Sequence, residues 1–206
     1  GSTLTLNRST VTGNTADFGG GINNYESTAT LLTSTISGNS DTGSADNLLN
    51  WSDSLVSTMT LDYVTVYAGV GTQTAVFNSG FGTTLTTFSN SLIATADGLA
   101  CAGVGYSSFG YNIATSDSCG LDQPSDLPET DPLLQPLTDN GGPTLTHALS
   151  SGSPAVDMGN DACYPTDQRG VARPFNSYCD SGAVEMANNV RAGSLPLLDG
   201  VSVNET

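Results

Sequence analysis

Lysine is absent from the sequence, and four arginines stand against 20 acidic residues. The formal net charge of −16 at pH 7 repels polyphosphate, so we expect no nucleic-acid binding. The lack of lysine also excludes a Schiff base and a phosphate-loop lysine in this chain.

Charged residues and long apolar runs are scarce as well. Only 12% of the 206 residues are charged, about half the usual share, whereas 37% are hydrophobic. This balance allows a buried core and is not typical of a charge-rich disordered chain. No segment has the roughly 18 consecutive apolar residues of a membrane span. The first residues also lack a signal peptide, so we expect a removed leader or a piece of a longer protein.

The first half of the sequence is an internal repeat. TLTLNRSTVTGN at 3–14 recurs as TATLLTSTISGN at 28–39, and looser copies begin at Ser57 and Thr83. Measured between equivalent apolar residues, the steps between copies are 25, 30 and 27 residues. Each copy contains two apolar residues five positions apart, namely Leu6 and Val11, Leu31 and Ile36, Leu61 and Val66, and Phe88 and Ile93.

These repeats predict an all-β fold. Thr and Ser alternate with aliphatic residues, Gly and Asn mark the turns, and helix signals are absent. One unit cannot bury its apolar row alone, so stacked units predict a right-handed parallel β-helix of about four to five coils. The alternative is an antiparallel β-sandwich, whose strands recur at similar intervals.

The second half of the chain differs in composition and contains all four cysteines. We divide the chain into β-helix coils at 1–120, a disulfide-bonded C-terminal cap at 121–186 and a tail at 187–206. Pairing of Cys101 with Cys119 and of Cys163 with Cys179 is favoured because each loop then closes without crossing the other. Such bonds indicate an oxidising, extracellular or cell-surface location. Zinc binding is disfavoured because the chain has no CxxC motif and one histidine.

Four sequence blocks in the second half carry a family resemblance: DNGGPTLTHAL, GSPAVDMG, DQRGVARP and GAVE, all between Asp131 and Glu185. Upstream, the chain contains STVTGN, STISGN and GGGI, and SSFGYNIA precedes a cysteine. Together these features resemble bacterial surface proteins in which a choice-of-anchor Q domain follows right-handed parallel β-helix repeats. The resemblance covers about residues 3–186. It implies secretion, display through a sorting tail that differs between members, and no catalytic residues. After Glu185 the sequence shows no LPxTG-type signal or anchor helix, so we expect the anchor to be missing, cleaved or replaced.

An enzymatic role is weighed on residues, because parallel β-helices also occur in pectate lyases and polygalacturonases. Arg8 occupies an outward position, and His147 has no recognisable nucleophile partner in the sequence. Five coil aspartates fall at turns and do not recur in register: Asp17, Asp41, Asp46, Asp53 and Asp62. We therefore expect no enzyme. The alternative is a carbohydrate-active or carbohydrate-binding β-helix.

Charged residues in the cap form the best candidate site. In one interpretation, Arg169 pairs with Asp157 or Glu185 in a structural salt-bridge cluster that includes Asp167 and holds the cap on the last coil. In the other, three residues supply oxygen ligands to calcium: Asp157, Asn160 and Asp161. We expect no other cofactor.

The start and the tail of the chain predict assembly. The sequence begins within a coil, and a β-helix cut there exposes strand edges that another chain can pair with. The apolar tail residues are candidate donors to another subunit, in a head-to-tail filament: Leu195, Leu197, Leu198, Val201 and Val203. The alternative is that 187–206 is a disordered linker.

Surface chemistry adds two further candidates. Three sequons begin at Asn7, Asn50 and Asn204 and suit glycosylation in a host with that machinery. Four aromatic residues are candidates for stacking on glycans: Tyr25, Trp51, Tyr63 and Tyr67. The sequence as a whole predicts a secreted, non-enzymatic structural or adhesion protein whose partners are copies of itself, other envelope proteins or surface glycans.

Overall fold

The computed structural model describes residues 1–43, 45, 47–69 and 74–187, which form an all-β parallel solenoid without an α-helix. The first two coils contain β1 (Thr3–Asn7), β2 (Thr10–Thr12), β3 (Thr15–Ala16), β4 (Ile22–Tyr25), β5 (Thr28–Leu32), β6 (Thr35–Ser37), β7 (Ser40–Asp41) and β8 (Leu48–Ser52). The later coils contain β9 (Val56–Asp62), β10 (Thr65–Ala68), β11 (Thr74–Gly80), β12 (Thr83–Ser89), β13 (Leu92–Thr95), β14 (Leu99–Gly103), β15 (Tyr106–Ser108) and β16 (Ile113–Ala114). The described residues therefore include no long apolar helix able to cross a membrane.

Strands at equivalent positions of successive coils pair in parallel and form three long sheets. The first sheet has the order β1-β5-β9-β12-β15, the second β2-β6-β10-β13-β16, and the third β4-β8-β11-β14. Every pairing between these strands is parallel. The predicted parallel solenoid is confirmed, with about four coils where the sequence predicted about four to five, and the antiparallel sandwich is excluded.

The two predicted apolar ladders occur in the predicted register. In the first sheet, Leu6, Leu31, Leu61 and Phe88 are successive partners. In the second sheet, Val11, Ile36, Val66, Ile93 and Ala114 are successive partners. From the second coil onward these side chains are fully buried. Each large aliphatic side chain in such a row contributes about 1.5–3 kcal/mol to stability.

The corner between the first and second sheets is formed by non-glycine residues in the left-handed backbone conformation. Arg8, Thr33, Tyr63 and Asn90 occupy this corner in the four coils, with φ between 41° and 55°. The sequence predicts glycine or asparagine at the turns, and Gly13 and Gly38 at another corner do have positive φ. At the first corner, however, three of the four residues are of types that rarely adopt this conformation.

A third interior row is polar. Asn24, Asn50 and Asn78 are successive partners in the third sheet and are all buried. Asn24 Nδ2 donates to Asn50 Oδ1 at 2.9 Å, and Asn50 Nδ2 donates to the Thr86 hydroxyl at 3.2 Å. That hydroxyl donates to Asn78 Oδ1 at 2.6 Å. The asparagine row thus satisfies buried polar groups between the third sheet and the first.

The C-terminal part of the chain covers the side of the solenoid as well as its end. Residue Leu127 forms a parallel bridge with Ile113 and continues the last coil. The segment 131–187, here called the strap, then runs along the outer face of the second sheet. Its contacts reach the first coil at Arg8 and Thr10 and the last coil at Tyr111. The sequence predicted a cap held on the last coil, and in the structure the strap also contacts the first coil.

Both disulfides have the predicted pairing. Cys101 is bonded to Cys119, and both lie in the solenoid core. Cys163 is bonded to Cys179 within the strap. Disulfides persist in oxidising environments, so the pair of bonds indicates an extracellular setting.

Candidate functional site

The three long sheets present three different outer faces. The first carries rows of threonine, in which Thr58 donates to Thr28 at 3.1 Å and Thr87 donates to Thr60 at 3.2 Å. The second is covered by the strap, whose apolar residues pack with Leu92. The third carries aromatic side chains that remain exposed or half-buried. This third face is therefore the apolar surface that the described part of the chain leaves open to a ligand.

The aromatic side chains on the third sheet border a shallow groove of about 310 Å³. Tyr25 and Trp51 are register partners on neighbouring coils, with ring centroids 5.4 Å apart and planes at 55°. Two other rings project far into solvent, because Phe18 is 56% exposed and Phe81 is 97% exposed. The groove itself is lined by Phe18, Leu49, Trp51, Phe77, Ser79, Gly80 and Phe81. We call this set, together with Tyr25, the aromatic groove.

Glycine is required at position 80 for the aromatic groove to have this shape. Gly80 has a φ of +115°, in a region that side chains other than glycine rarely adopt. A Cβ atom there would lie 1.9 Å from the Ser52 carbonyl oxygen and 2.5 Å from Trp51 Cδ1. Any other residue would therefore displace the Trp51 ring or the backbone behind it.

Polar groups lie at the edge of the aromatic groove. The Tyr25 hydroxyl donates to Asp53 Oδ2 at 3.2 Å, and both residues are exposed. Asn23, also exposed, is the register partner of Leu49 on the groove floor. Aromatic walls with a few polar groups at their edge are typical of small-molecule sites.

Two of the four predicted stacking residues have other roles. Tyr63 is buried beneath Arg173, whose guanidinium carbon lies 4.6 Å from the ring centroid, and its ring also meets Tyr164 edge-on. Tyr67 packs against His147 under the strap, with ring centroids 5.0 Å apart. Burial raises the pKa of Tyr63 well above its usual value. The Tyr63 ring is closed to a ligand and the Tyr67 ring is half-buried beside the strap, whereas Tyr25 and Trp51 are on the open face.

Arg169 forms its ion pair within a tight turn of the strap. Its Nη2 lies 2.8 Å from Asp167 Oδ2, and its backbone N–H donates to Asp167 Oδ1 at 2.8 Å. Its guanidinium also donates to the backbone carbonyl of Glu185. The carboxylate partner of Arg169 is therefore Asp167, which corrects the expectation of Asp157 or Glu185. Asp167 is two residues away and is already held by the turn.

The Glu185 carboxylate lies instead beside Arg173. Glu185 Oε2 is 3.5 Å from Arg173 Nε, and Glu185 accepts hydrogen bonds from the backbone N–H groups of Phe175 and Asp180. Burial is the main cause that raises the pKa of both Glu185 and Asp180. Arg173 also donates to the backbone carbonyls of Asp180 and Gly182. These charged groups lock the end of the strap and are not open to a ligand.

His147 has a serine partner that the sequence does not reveal. Its Nδ1 donates to the Gln135 carbonyl at 2.7 Å, so Nε2 accepts from the Ser37 hydroxyl at 2.8 Å. Both side chains are buried, and burial lowers the pKa of His147. The backbone N–H of Gly38, the residue that follows Ser37, donates to the Tyr67 carbonyl. The Ser37–His147 pair thus joins the strap to the second coil.

The three residues of the calcium hypothesis have other contacts. Asp157 accepts from the Tyr178 N–H at 3.2 Å, and Asn160 Oδ1 accepts from the Ala162 N–H at 2.8 Å. Asp161 is exposed. Across 1–43, 45, 47–69 and 74–187, no group of three or more His, Cys, Asp or Glu side chains is arranged to hold a metal ion. Calcium binding at these residues stays a prediction.

The sequons differ in accessibility. Asn7 is exposed at the end of β1 and accepts a hydrogen bond from the Thr33 hydroxyl. Asn50 is fully buried in the asparagine row, which corrects its assignment as a glycosylation candidate in the folded chain. Asn204 and the predicted donor residues Leu195, Leu197, Leu198, Val201 and Val203 lie outside the described residues.

The asparagine row has a signal in the sequence, in which an aliphatic residue stands two positions before each asparagine. Ile22-x-Asn24, Leu48-x-Asn50 and Val76-x-Asn78 recur at intervals close to the coil length. The aromatic groove has no such signal, since Phe18, Phe77 and Phe81 occupy unequal positions in their coils. No protein-family model, curated protein or solved structure matches the chain.

Proposed function

We propose that the protein is a non-enzymatic, secreted adhesion protein whose solenoid holds the aromatic groove in a fixed position. The observation that carries this proposal is the difference between the covered outer face of the second sheet and the open outer face of the third. The strap covers the second sheet, whereas on the third sheet Phe81 remains 97% exposed beside Trp51. An exposed patch of aromatic side chains on a rigid sheet is typical of an interaction surface.

The strap supports the assignment to bacterial surface proteins with a choice-of-anchor Q domain. Each of the four sequence blocks behind that resemblance contributes a contact with the coils. His147 contacts Ser37, Ala155 packs with Leu92, Gln168 contacts Thr35, and Ala183 donates to Thr65. The four blocks therefore contain residues that hold the strap against the coils.

Attachment of coated beads tests the adhesion role. Fluorescent beads carrying the full chain are placed on layers of intact bacterial cells and on mucin, with albumin-coated beads as the reference. We expect the chain to attach above the reference, and the double variant Trp51→Ser with Phe81→Ser to lose that attachment. A matched control, Thr30→Ala with Thr60→Ala on the first sheet, keeps it.

Two outcomes would overturn the adhesion proposal. In one, wild-type beads attach no better than albumin beads on every layer. In the other, the groove variant attaches as well as the wild type while both retain the same melting temperature. Circular dichroism, followed during thermal melting, measures these melting temperatures and shows whether the variants are folded.

Self-assembly is a separate part of the proposal. The tail candidates are apolar and follow the locked end of the strap, where Glu185 accepts from Arg169. We expect deletion of 187–206 to abolish any filaments that the full chain forms. Light scattering on both chains tests this, and an unchanged particle size would remove the tail as donor.

A further inference from the structure

We propose that the ligand of the aromatic groove is a neutral polysaccharide, lying along the direction in which the coils stack. This inference rests on the proposed adhesion function and names the chemistry of its ligand. Four features of the molecule favour this ligand, namely the spacing of the rings, the polar groups beside them, the charge of the chain and the size of the groove.

The rings are placed at the spacing of the coils. Tyr25 and Trp51 are register partners, and neighbouring strands are about 4.8 Å apart. The same row continues to Ser79 on the third coil. This spacing is close to the length of one pyranose unit in an extended sugar chain, so successive sugars meet successive coils.

The groove combines the two contacts that a sugar requires. The C–H face of a pyranose ring packs on exposed aromatic rings, which Trp51 and Phe81 provide. Its hydroxyl groups need hydrogen-bonding partners, and Asp53, Ser79 and Asn23 lie at the same surface. A purely apolar ligand would make no hydrogen bonds with these polar groups.

The charge of the chain selects against acidic ligands. The net charge is −16, and the Asp53 carboxylate lies beside Tyr25 at the groove edge. Acidic polysaccharides are repelled by this field. Neutral polysaccharides bring hydroxyl groups without that repulsion.

The size of the groove favours a sugar chain over a folded protein. Its volume of about 310 Å³ is at the lower end of small-molecule sites. A stable protein interface buries about 800 Å² on each partner, which is a larger and flatter area than the few lining residues offer. A short run of sugar units fits the groove and extends beyond it along the coils.

Trp51 provides a direct measurement because it is the single tryptophan of the chain. Its fluorescence is followed while hexasaccharides of neutral β-glucan, mannan and xylan are added to the full chain. We expect a saturable change with at least one of them and none with oligogalacturonate. Phe81→Ser, which alters a ring that is 97% exposed and leaves Trp51 in place, should weaken that affinity about threefold to tenfold. Thr60→Ala on the first sheet is the matched control and should leave it unchanged.

Three results would overturn the inference. A fluorescence change with a lysine-rich peptide and with no neutral sugar would identify a cationic ligand and leave the adhesion proposal in place. Equal affinity of Phe81→Ser and wild type for the sugar would place the sugar outside the groove. No change with any sugar, together with bead attachment that depends on Trp51, would show that adhesion uses the groove for another class of ligand.

Discussion

Gln168 Oε1 accepts a hydrogen bond of 2.7 Å from the Thr35 hydroxyl, which lies 133 residues earlier in the chain. The same carboxamide donates through Nε2 to the hydroxyls of Thr10 and Thr144. One side chain of the strap therefore joins the first two coils to each other and to another part of the strap. Gln168 and Thr35 are both fully buried, so their polar groups have no water to replace a lost partner.

Replacement of Gln168 by alanine should destabilise the folded chain by about 2 kcal/mol, because it leaves the buried Thr35 hydroxyl without its acceptor. Chemical denaturation measures the loss. Gln123→Ala is the matched control, since Gln123 is exposed, and should change stability by less than about 0.5 kcal/mol. An equal effect of the two substitutions would show that the strap contributes little at this point.

The sequence predicted the coils because their information is repeated. Leu31 and Ile36 have counterparts in every coil, and stacking in register is the arrangement that buries them all. The contacts of the strap, in contrast, do not recur from coil to coil. Nothing in the local sequence of Gln168 identifies Thr35 as its partner, because the contact depends on the path of the strap across the second sheet.

The candidate site was harder to predict for a related reason. The sequence does not distinguish the four predicted stacking residues. Tyr25 and Trp51 lie on the open third face, whereas Tyr63 and Tyr67 pack against rings of the strap. The difference follows from which sheet each strand joins. Phe81 gave no signal, because its position directly after β11 places it at the groove edge only once Gly80 has turned the chain.

Replacement of Asn50 by aspartate should destabilise the protein by more than about 2 kcal/mol. The substitution removes the Nδ2 donor to Thr86 and to the Leu85 carbonyl, and it places a carboxylate where the backbone offers carbonyl oxygens. Thermal melting measures the effect. Asn23→Asp, on the exposed face of β4, is the matched control and should have little effect. Equal melting temperatures for the two variants would contradict a stabilising asparagine row.

In a eukaryotic secretory host, glycans should be found at Asn7 and be absent from Asn50 in the folded, secreted chain. Asn7 is exposed, whereas Asn50 has no accessible surface and its amide donates inside the solenoid. Peptide mass spectrometry after glycosidase treatment in heavy-oxygen water measures occupancy at each site. Full occupancy of Asn50 in soluble, cooperatively melting protein would contradict its buried position.

The two disulfides should differ in their response to reductant. Cys101 and Cys119 are both fully buried in the core, whereas Cys163 is only half-buried. Without denaturant, a thiol reductant should therefore reduce Cys163–Cys179 first, as detected by alkylation and mass spectrometry. Loops of this size stabilise a fold by about 3 kcal/mol, so Cys163→Ala with Cys179→Ala should lower the unfolding free energy by about that amount. Reduction of both bonds at the same rate would contradict the difference in burial.

The locked end of the strap should make stability depend on pH in a defined direction. Burial raises the pKa of Asp180 above its usual value in the folded chain. A carboxyl group with a raised pKa holds its proton more tightly when folded, so its contribution to stability is complete below the unfolded pKa. That contribution is lost as pH rises through the folded pKa. We expect the unfolding free energy of the wild type, relative to Asp180→Asn, to decrease between pH 4 and pH 7.

Urea denaturation of both chains at pH 4, 5.5 and 7 measures this difference, and the comparison cancels the titration of the other acidic residues. Asp180→Asn keeps one acceptor for the Asp157 N–H and loses the one for Met186, so it should be less stable than the wild type at pH 4. Gln123→Ala, at an exposed position, is the control and should show no such trend. A gap between wild type and Asp180→Asn that widens as pH rises would mean that hydrogen bonds and Arg173 outweigh burial at Asp180.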